Sequence, residues 1–328
     1  MLKRVLKVLF EFYPVLAPIA IVCILISAAA SALPPIFMQK VIAAIETWQK
    51  SGDWVGASRE IVPKVLTLGC MYCFSIVAVV LHTQLMAIIT QGFLSKMRCR
   101  MFDGMQNLPI KYFDTNKHGD IMSHYTNDID TLRQLISQSI PSVLQSCAII
   151  ACVMGIMLYF SVWMTLVLLV GVVAMILVSG RIGGGSAKYF IRQQKAMGRT
   201  EGYVQEMMNG QKVVKVFCHE EQSKADFDKI NDALYEDSFR AHAYANMLGP
   251  IISNIGNVLY ALVALAGGVF LLTGVKNLSL SGMAFSISIV IPFLNMTKQF
   301  TGNVNGLSQQ INSIVMGLAG AGRVLGLM

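Results

Sequence analysis

Two stretches of the sequence carry residue types at spacings that could do chemistry. Cys70 and Cys73 spell CxxC, the spacing of a dithiol redox pair or of half a zinc site. They have no second pair and no βαβ context, and the seven cysteines are scattered. They therefore read as small buried apolar residues rather than as ligands. The run from Gly183 to Lys188, GGGSAK, is the nearest approach to a phosphate loop. Such a loop needs G-x-x-x-x-G-K-[ST], so that glycine amides cradle the phosphates and the lysine reaches the outer ones. Here Lys188 follows Ala187, in a helix leaving an apolar segment. No catalytic, metal-binding or cofactor-binding residue is assigned.

A third grouping is polar rather than reactive. Asn295, Gln299, Gly302, Asn303, Gly306, Gln309, Gln310 and Ser313 recur at helical spacing. Polar side chains facing lipid are costly, so this stripe should face a cavity or a partner, with Asn254 and Asn257 able to face the same space. Beyond about Gly306 the stripe reads equally well as a helix extended into water. The twenty methionines would give adaptable apolar walls to a substrate path, or serve as lipid-facing filler.

The elements that hold these residues are set by composition. The chain has 328 residues, of which 55% are hydrophobic and 13% charged, with a mean hydropathy of +0.59. A soluble protein carries roughly 25% charge, so the fold class is an all-α membrane protein. The net charge of +8 is read as cytoplasmic Lys and Arg, not as a nucleic-acid surface. Charge-free windows lie between Glu11 and Lys40, Lys64 and Lys96, Arg133 and Arg181, and Arg240 and Lys276. Each exceeds the ~20 residues of one crossing. The third window is long enough for two, with an interfacial aromatic turn at Tyr159, Phe160 and Trp163. Six long transmembrane helices are expected, over about 12–39, 65–95, 134–160, 162–185, 241–273 and 281–322.

Lys and Arg concentrate at the N-terminus and in the loops after spans two and four, which places both termini and both long loops in the cytoplasm. The N-terminus imitates a secretory signal, with Ala30, Ser31 and Ala32 as an A-x-A site. Residues 1–10 read better as an interfacial helix, with Leu2, Val5, Leu6, Leu9 and Phe10 on one face and Lys3, Arg4 and Lys7 on another.

Both long loops look helical. In the first, Pro109 interrupts a helix, and Ile110–Lys117 forms one or two turns carrying Tyr112 and Phe113. Gly119 then offers a stop and Asp120 an N-cap for the next helix. In the second, ten Lys/Arg and nine Asp/Glu lie between Arg181 and Arg240. Val204, Met207, Met208, Val214 and Phe217 recur near the helical period, which makes this loop a water-facing arm.

Together the loops resemble the intracellular loops of ATP-binding cassette exporters with six-helix transmembrane domains. In the first loop Phe113, Asp114, Gly119, Asp120, Thr126, Asn127 and Asp128 match that pattern. In the second, Glu206, Gly210, Val214, Lys215, Phe217, Glu220 and Phe227 fall at its spacing. The run KYFIRQQKAMG is similar to one half of bacterial heterodimeric multidrug exporters, and GLAGAGRVLGLM, with Arg323, resembles the close of span six. The glycine-rich run after Arg181 departs from the pattern.

The resemblance implies that short helices around Tyr112–Lys117 and Phe217–Ser223 tip the two loops as coupling helices. Tyr112, Phe113, Asp114, Asn116, Phe217, His219, Glu220 and Glu221 would meet nucleotide-binding domains. ATP and Mg would sit on those domains, in a continuation of the chain or on a separate one. The other implied partners are a second identical or related transmembrane subunit, the lipid bilayer of the inner (plasma) membrane, and a small hydrophobic or amphipathic substrate. The alternative is a six-span secondary transporter or channel subunit, for which mid-span Asp or Glu would be expected.

Overall fold

The structure, a computed structural model, describes residues 1–49, 54–115, 118–280 and 282–326. Among the described residues the regular structure is all helical. The chain divides into two compact units. One combines Met1–Leu166 with Val263–Met328, and the other is Val167–Leu262.

The first unit opens with α1, Leu2–Phe12, followed by α2, Leu16–Ala32, and α3, Pro34–Trp48. Leu33 keeps helical angles between α2 and α3, and the prolines at 34 and 35 fall in the first turn of α3, where a missing N–H costs least. Ala30 and Ala32 are thus buried in the helical interior. Helix α4, Trp54–Gln106, is 53 residues long, about 80 Å at 1.5 Å per residue. That is far more than a bilayer core, so its lower end stands clear of lipid.

Val5 and Leu9 of α1 are buried against Phe93, Met97 and Met101 of α4 and Val324 near the chain's end. The Lys96 ammonium lies 4.4 Å from the centre of the Tyr13 ring and 3.3 Å from the Phe12 carbonyl. The amphipathic first helix is therefore fixed to the base of α4.

After Pro109 come α5, Ile110–Thr115, and then α6, His118–Ser123. Gly119 and Asp120 lie inside α6, so the expected stop and N-cap do not form there; the helix begins at His118, one residue before the glycine. A π-helical stretch at His124–Asp128, α7 at Ile129–Gln134, a second π stretch at Leu135–Ser139 and α8 at Ile140–Phe160 continue the same rod. At its far end, Asn277 donates hydrogen bonds of 2.9 Å to the Phe160 and Met283 carbonyls, closing the turn after α8.

Helix α9 is Val162–Asn209 and runs unbroken through Gly183, Gly184 and Gly185. The amides of that run are engaged in the helix and cannot form a phosphate cradle. Next come the short α10, Gln211–Val216, and α11, Glu220–Thr273. The second unit is the α9–α11 hairpin, held at one level by Leu259, whose side chain occupies the space a Cβ on Gly171 would fill.

Helix α12, Ile287–Gly326, closes the first unit. A Cβ on Gly317 would overlap Leu135, and one on Gly320 would overlap Thr131. Two glycines one turn apart let the α12 backbone come this close to the α7 rod, the small-residue contact that membrane helices use.

Five helices among the described residues are long and apolar enough to cross a membrane, within Leu16–Trp48, Val55–Gln106, Ile121–Phe160, Val162–Ile182 and Glu220–Thr273. The chain is a multi-pass membrane protein. At 40 residues α12 is long enough as well, but Asn295, Lys298, Gln299 and Asn303 lower its hydropathy and it is not among the five. The cysteines correct one expectation. Cys23 is half-buried, and Cys70, Cys73, Cys99, Cys147, Cys152 and Cys218 are exposed. Those in the apolar segments lie on outward faces, where a thiol is apolar enough to meet lipid. Several methionines, by contrast, fill the interior: Met97, Met101, Met157, Met164 and Met296 are fully buried.

Candidate functional site

Each long arm ends in a short helix, and the two ends are built differently. In the second unit, Gly210 has angles outside the helical region and ends α9. Its carbonyl accepts from the Val213 amide at 2.9 Å and starts α10. The Phe217 amide closes that helix onto Val213, and the His219 amide reaches the Val214 carbonyl at 3.0 Å. Between them Cys218 takes a left-handed φ of 51°, unusual for a residue with a Cβ. The chain so reversed enters α11 with Glu220 and Glu221 in its first turn, where the helix dipole favours acidic side chains. The second short helix is therefore Gln211–Val216, not Phe217–Ser223. The physical reason is that Gly210 and the left-handed Cys218 bound it, leaving Phe217 and His219 in the turn.

Lys215 reaches Glu220 at 3.0 Å and Lys224 reaches Glu221 at 2.7 Å. The hydrogen bond from Lys215 is the main cause holding the Glu220 carboxyl below its ordinary range. The Tyr203 hydroxyl donates to the Ser223 carbonyl at 2.8 Å, tying α9 to the start of α11. An open groove of about 740 Å³ lies beside this tie, walled by Met207, Met208, Val214 and Phe227. Val213, Val216 and Phe217 are 60%, 77% and 70% exposed, three apolar side chains at the tip left largely uncovered by the described residues.

At the first tip, Tyr112 and Phe113 are half-buried and meet edge to face, ring centres 5.7 Å apart. Tyr112 also packs against the buried cluster beneath α4. Ile110 and Asp114 face outward. Asn116, expected to belong with them, lies outside the described residues, as does Lys117.

A contact missed from the sequence stands directly behind the first tip. Asp128, only 3% exposed, is held by Arg323 through Nε at 2.9 Å and through Nη2 on the other carboxylate oxygen. His124 Nδ1 lies 2.6 Å from the same carboxylate. The pair joins the α6–α8 rod to the end of α12, beside Gly317 and Gly320. Both residues stood within quoted motifs; the available signal was a lone Arg in the otherwise uncharged stretch after Lys298, and nothing in the sequence singles out Asp128 as its partner.

The polar face of α12 is partly committed to the chain's own interior. Gln299 donates to the Ser31 carbonyl of α2 at 3.0 Å, Asn295 reaches the Met38 sulfur of α3 at 3.3 Å, and Asn303 donates to the Gln299 carbonyl at 2.7 Å. Asn254 and Asn257 belong to the other unit and are exposed, with Asn254 donating back to the Pro250 carbonyl at 2.9 Å. Gln309 is helical, and its side chain is outside the description. Among the described residues there is no cluster of three His, Cys, Asp or Glu able to hold a metal ion.

Comparison with known proteins adds to this geometry. The family model for the ABC transporter transmembrane region matches residues 18–319. The ABC transporter ATP-binding protein YfiC of Bacillus subtilis is 30% identical over 264 residues, 80% of this chain and 42% of that protein. The fatty acid ABC transporter ATP-binding/permease protein of Mycobacterium tuberculosis is 27% identical over 270 residues, 82% of this chain and 41% of that protein. The ATP-dependent lipid A-core flippase of Syntrophus aciditrophicus is 24% identical over 336 residues, 99% of this chain and 51% of that protein. The chain spans about half the length of the curated relatives it matches.

Proposed function

The chain belongs to the ABC transporter transmembrane family, and from that premise we propose that it forms the substrate path of an ATP-driven exporter. Nucleotide-binding domains, either continuing this chain or on a separate one, would supply ATP and Mg chemistry. The observation that carries the reading is the pair of long helical arms ending in short helices, the second with Val213, Val216 and Phe217 left largely uncovered by the described residues. Such a tip fits a socket on a partner domain better than water.

In this reading a push on α5 enters the continuous α6–α8 rod and is shared with α12 through Arg323–Asp128 and the glycine contacts. A push on α10 travels along α9 and α11. Rigid helices of this length turn closure of domains below into rotation of helices above. α12 serves as the sixth crossing, and a second subunit, identical or related, encloses the remaining polar face. The relatives' names speak of fatty acids and lipid A, so the cargo class is small hydrophobic or amphipathic molecules. The termini and both arm tips lie in the cytoplasm of a cell whose inner membrane holds the protein.

Reconstitution tests this. With its nucleotide-binding domains, the protein should hydrolyse ATP and move a lipophilic dye across vesicles; the 328-residue chain alone should do neither. In a cysteine-free background, an impermeant thiol reagent on intact cells should label a cysteine at Lys276 and spare one at Glu221. The reverse pattern inverts the topology and removes the coupling role of the arms.

A further inference from the structure

A groove of about 610 Å³ opens in the first unit between α2–α3 and α8, within the range of roughly 300–1,000 Å³ that small-molecule sites occupy. One wall is Ala29, Ala32, Leu33 and Ile36, and the other is Cys152, Gly155, Ile156 and Tyr159. Both follow the spacing i, i+3, i+4, i+7, so each is one helix stripe, and Ala151, Phe160 and Met283 complete the apolar lining. From Ala29 to Lys40 the groove extends about 16 Å along the helix, at 1.5 Å per residue.

Small residues, Ala29, Ala32, Ala151, Cys152 and Gly155, make up much of both walls. A Cβ added to Gly155 would meet nothing within 4 Å, so the space there belongs to the groove and not to a neighbouring side chain. The chemistry changes at one end only. Lys40 and Gln39 line it there, with the Lys40 ammonium 5.3 Å from the centre of the Phe37 ring. Among the described residues no carboxylate pairs with Lys40.

An apolar trough ending in an unpaired cation complements a molecule with an apolar tail and an anionic head. We propose that this groove binds a single-chain anionic amphiphile, its tail along Ala32, Ile36, Gly155 and Ile156 and its carboxylate or phosphate head at Lys40. A space of about 610 Å³ holds one long acyl tail but not two, which sets it apart from a site for two-tailed membrane lipid. The inference rests on the membrane reading of α2 and α8 but not on ATP-driven transport.

The test is therefore a binding measurement without nucleotide. The 328-residue chain is placed in phosphatidylcholine nanodiscs, and palmitate is measured by displacement of a fluorescent fatty acid. Palmitate should bind and cetyl alcohol, with the same tail and no charge, should bind at least about tenfold more weakly, the size of one lost charge-assisted contact. Lys40→Gln should weaken palmitate by a similar factor, and Lys40→Arg should restore it. Gly155→Phe should abolish binding by filling the trough, with the melting temperature of the chain unchanged because the ring enters open space. Equal binding of the alcohol, or indifference to Lys40→Gln, would overturn the head site. Binding undiminished by Gly155→Phe would overturn the groove. Equal displacement by phosphatidylglycerol would make it a bilayer-lipid crevice and overturn the single-chain assignment. A transporter that fails to move palmitate leaves all of these outcomes readable.

Discussion

Tyr112 at the first arm tip packs its ring against the buried cluster beneath α4, whereas Phe217 at the second stands 70% exposed. The difference follows from what lies behind each tip. The first has a core to lean on, where α1, α4, α7 and the end of α12 converge. The second is the end of a two-helix hairpin, which half-buries Tyr203 and Phe227 against each other but leaves Phe217 beyond them, in a turn organised by backbone hydrogen bonds and by the Tyr203–Ser223 tie. Side chains at the first tip therefore serve the fold and any partner at once. Those at the second are free to serve a partner alone.

The largest effect should come from breaking the contact that backs the first tip. Arg323→Ala strands the Asp128 carboxylate in a nearly dry position. Removing one partner of a fully buried pair costs ~3–5 kcal/mol; the half-exposed Arg323 and the remaining His124 lower the expected loss to about 2–3 kcal/mol. A melting curve of the detergent-solubilised chain should shift down by several degrees. A second substitution, Asp128→Asn, in the Arg323→Ala background should recover part of the loss. An unchanged melt for the single variant would mean the clamp does not support this tip.

Tyr112→Ala comes next. A fully buried aromatic truncated to Ala costs ~3–5 kcal/mol, and a half-buried one should cost about 1–2. Both the melting temperature and substrate-stimulated ATPase of the assembled transporter should fall. Phe217→Ala separates the two readouts. Stability should stay within about 0.5 kcal/mol, as for other exposed substitutions, while stimulation of ATPase by substrate weakens through loss of an interface anchor worth roughly 2 kcal/mol. A drop in melting temperature with Phe217→Ala equal to that of Tyr112→Ala would erase the contrast between the tips. Wild-type stimulation would remove Phe217 from the interface.

The sequence made some of this legible and hid the rest for identifiable reasons. Apolar windows and Lys/Arg asymmetry announce a multi-pass helical protein because hydrophobic length is a local property. The helical character of both arms is equally local, and Pro109 marks the break before α5. The second short helix lies nearly two turns before the expected Phe217–Ser223. The resemblance to exporter loops implied a helix over Phe217–Ser223, but the left-handed turn that separates Phe217 from Glu220 falls on Cys218, a residue with no intrinsic preference for it. Gly119 misled in the opposite sense: a glycine next to a proposed start reads as a stop, yet it sits inside α6. The Asp128–Arg323 pair joins residues 195 apart, a contact no periodicity reports. The polar stripe on α12 showed which face is polar but not that Gln299 reaches the Ser31 carbonyl, since that needs the approach of α2.

The smallest effect is electrostatic and belongs to the second tip. Glu220 opens α11 beside Lys215, and the hydrogen bond from that lysine lowers its carboxyl from the ordinary value of 4.5. A carboxyl depressed in the folded state binds its proton more readily when unfolded. Its stabilisation is therefore complete above the ordinary value and is lost as pH falls through the lowered, folded-state one. Because the pair is open to solvent, with the Lys215 and Glu220 side chains 63% and 33% exposed, screening keeps the effect local. Glu220→Gln should leave the melting temperature unchanged. It should speed amide hydrogen exchange in the first turn of α11, at Ser223 and its neighbours, at neutral pH and low salt. That difference from the native protein should shrink as salt is raised, because an exposed ion pair is screened. It should also vanish in acid once the native carboxyl is protonated. The same variant compared at Tyr112 and Phe113 should show no change, since neither residue rests on this ion pair. Identical exchange at Ser223 in both proteins at neutral pH would show that backbone turns alone hold the second tip, with the ion pair contributing nothing to its shape.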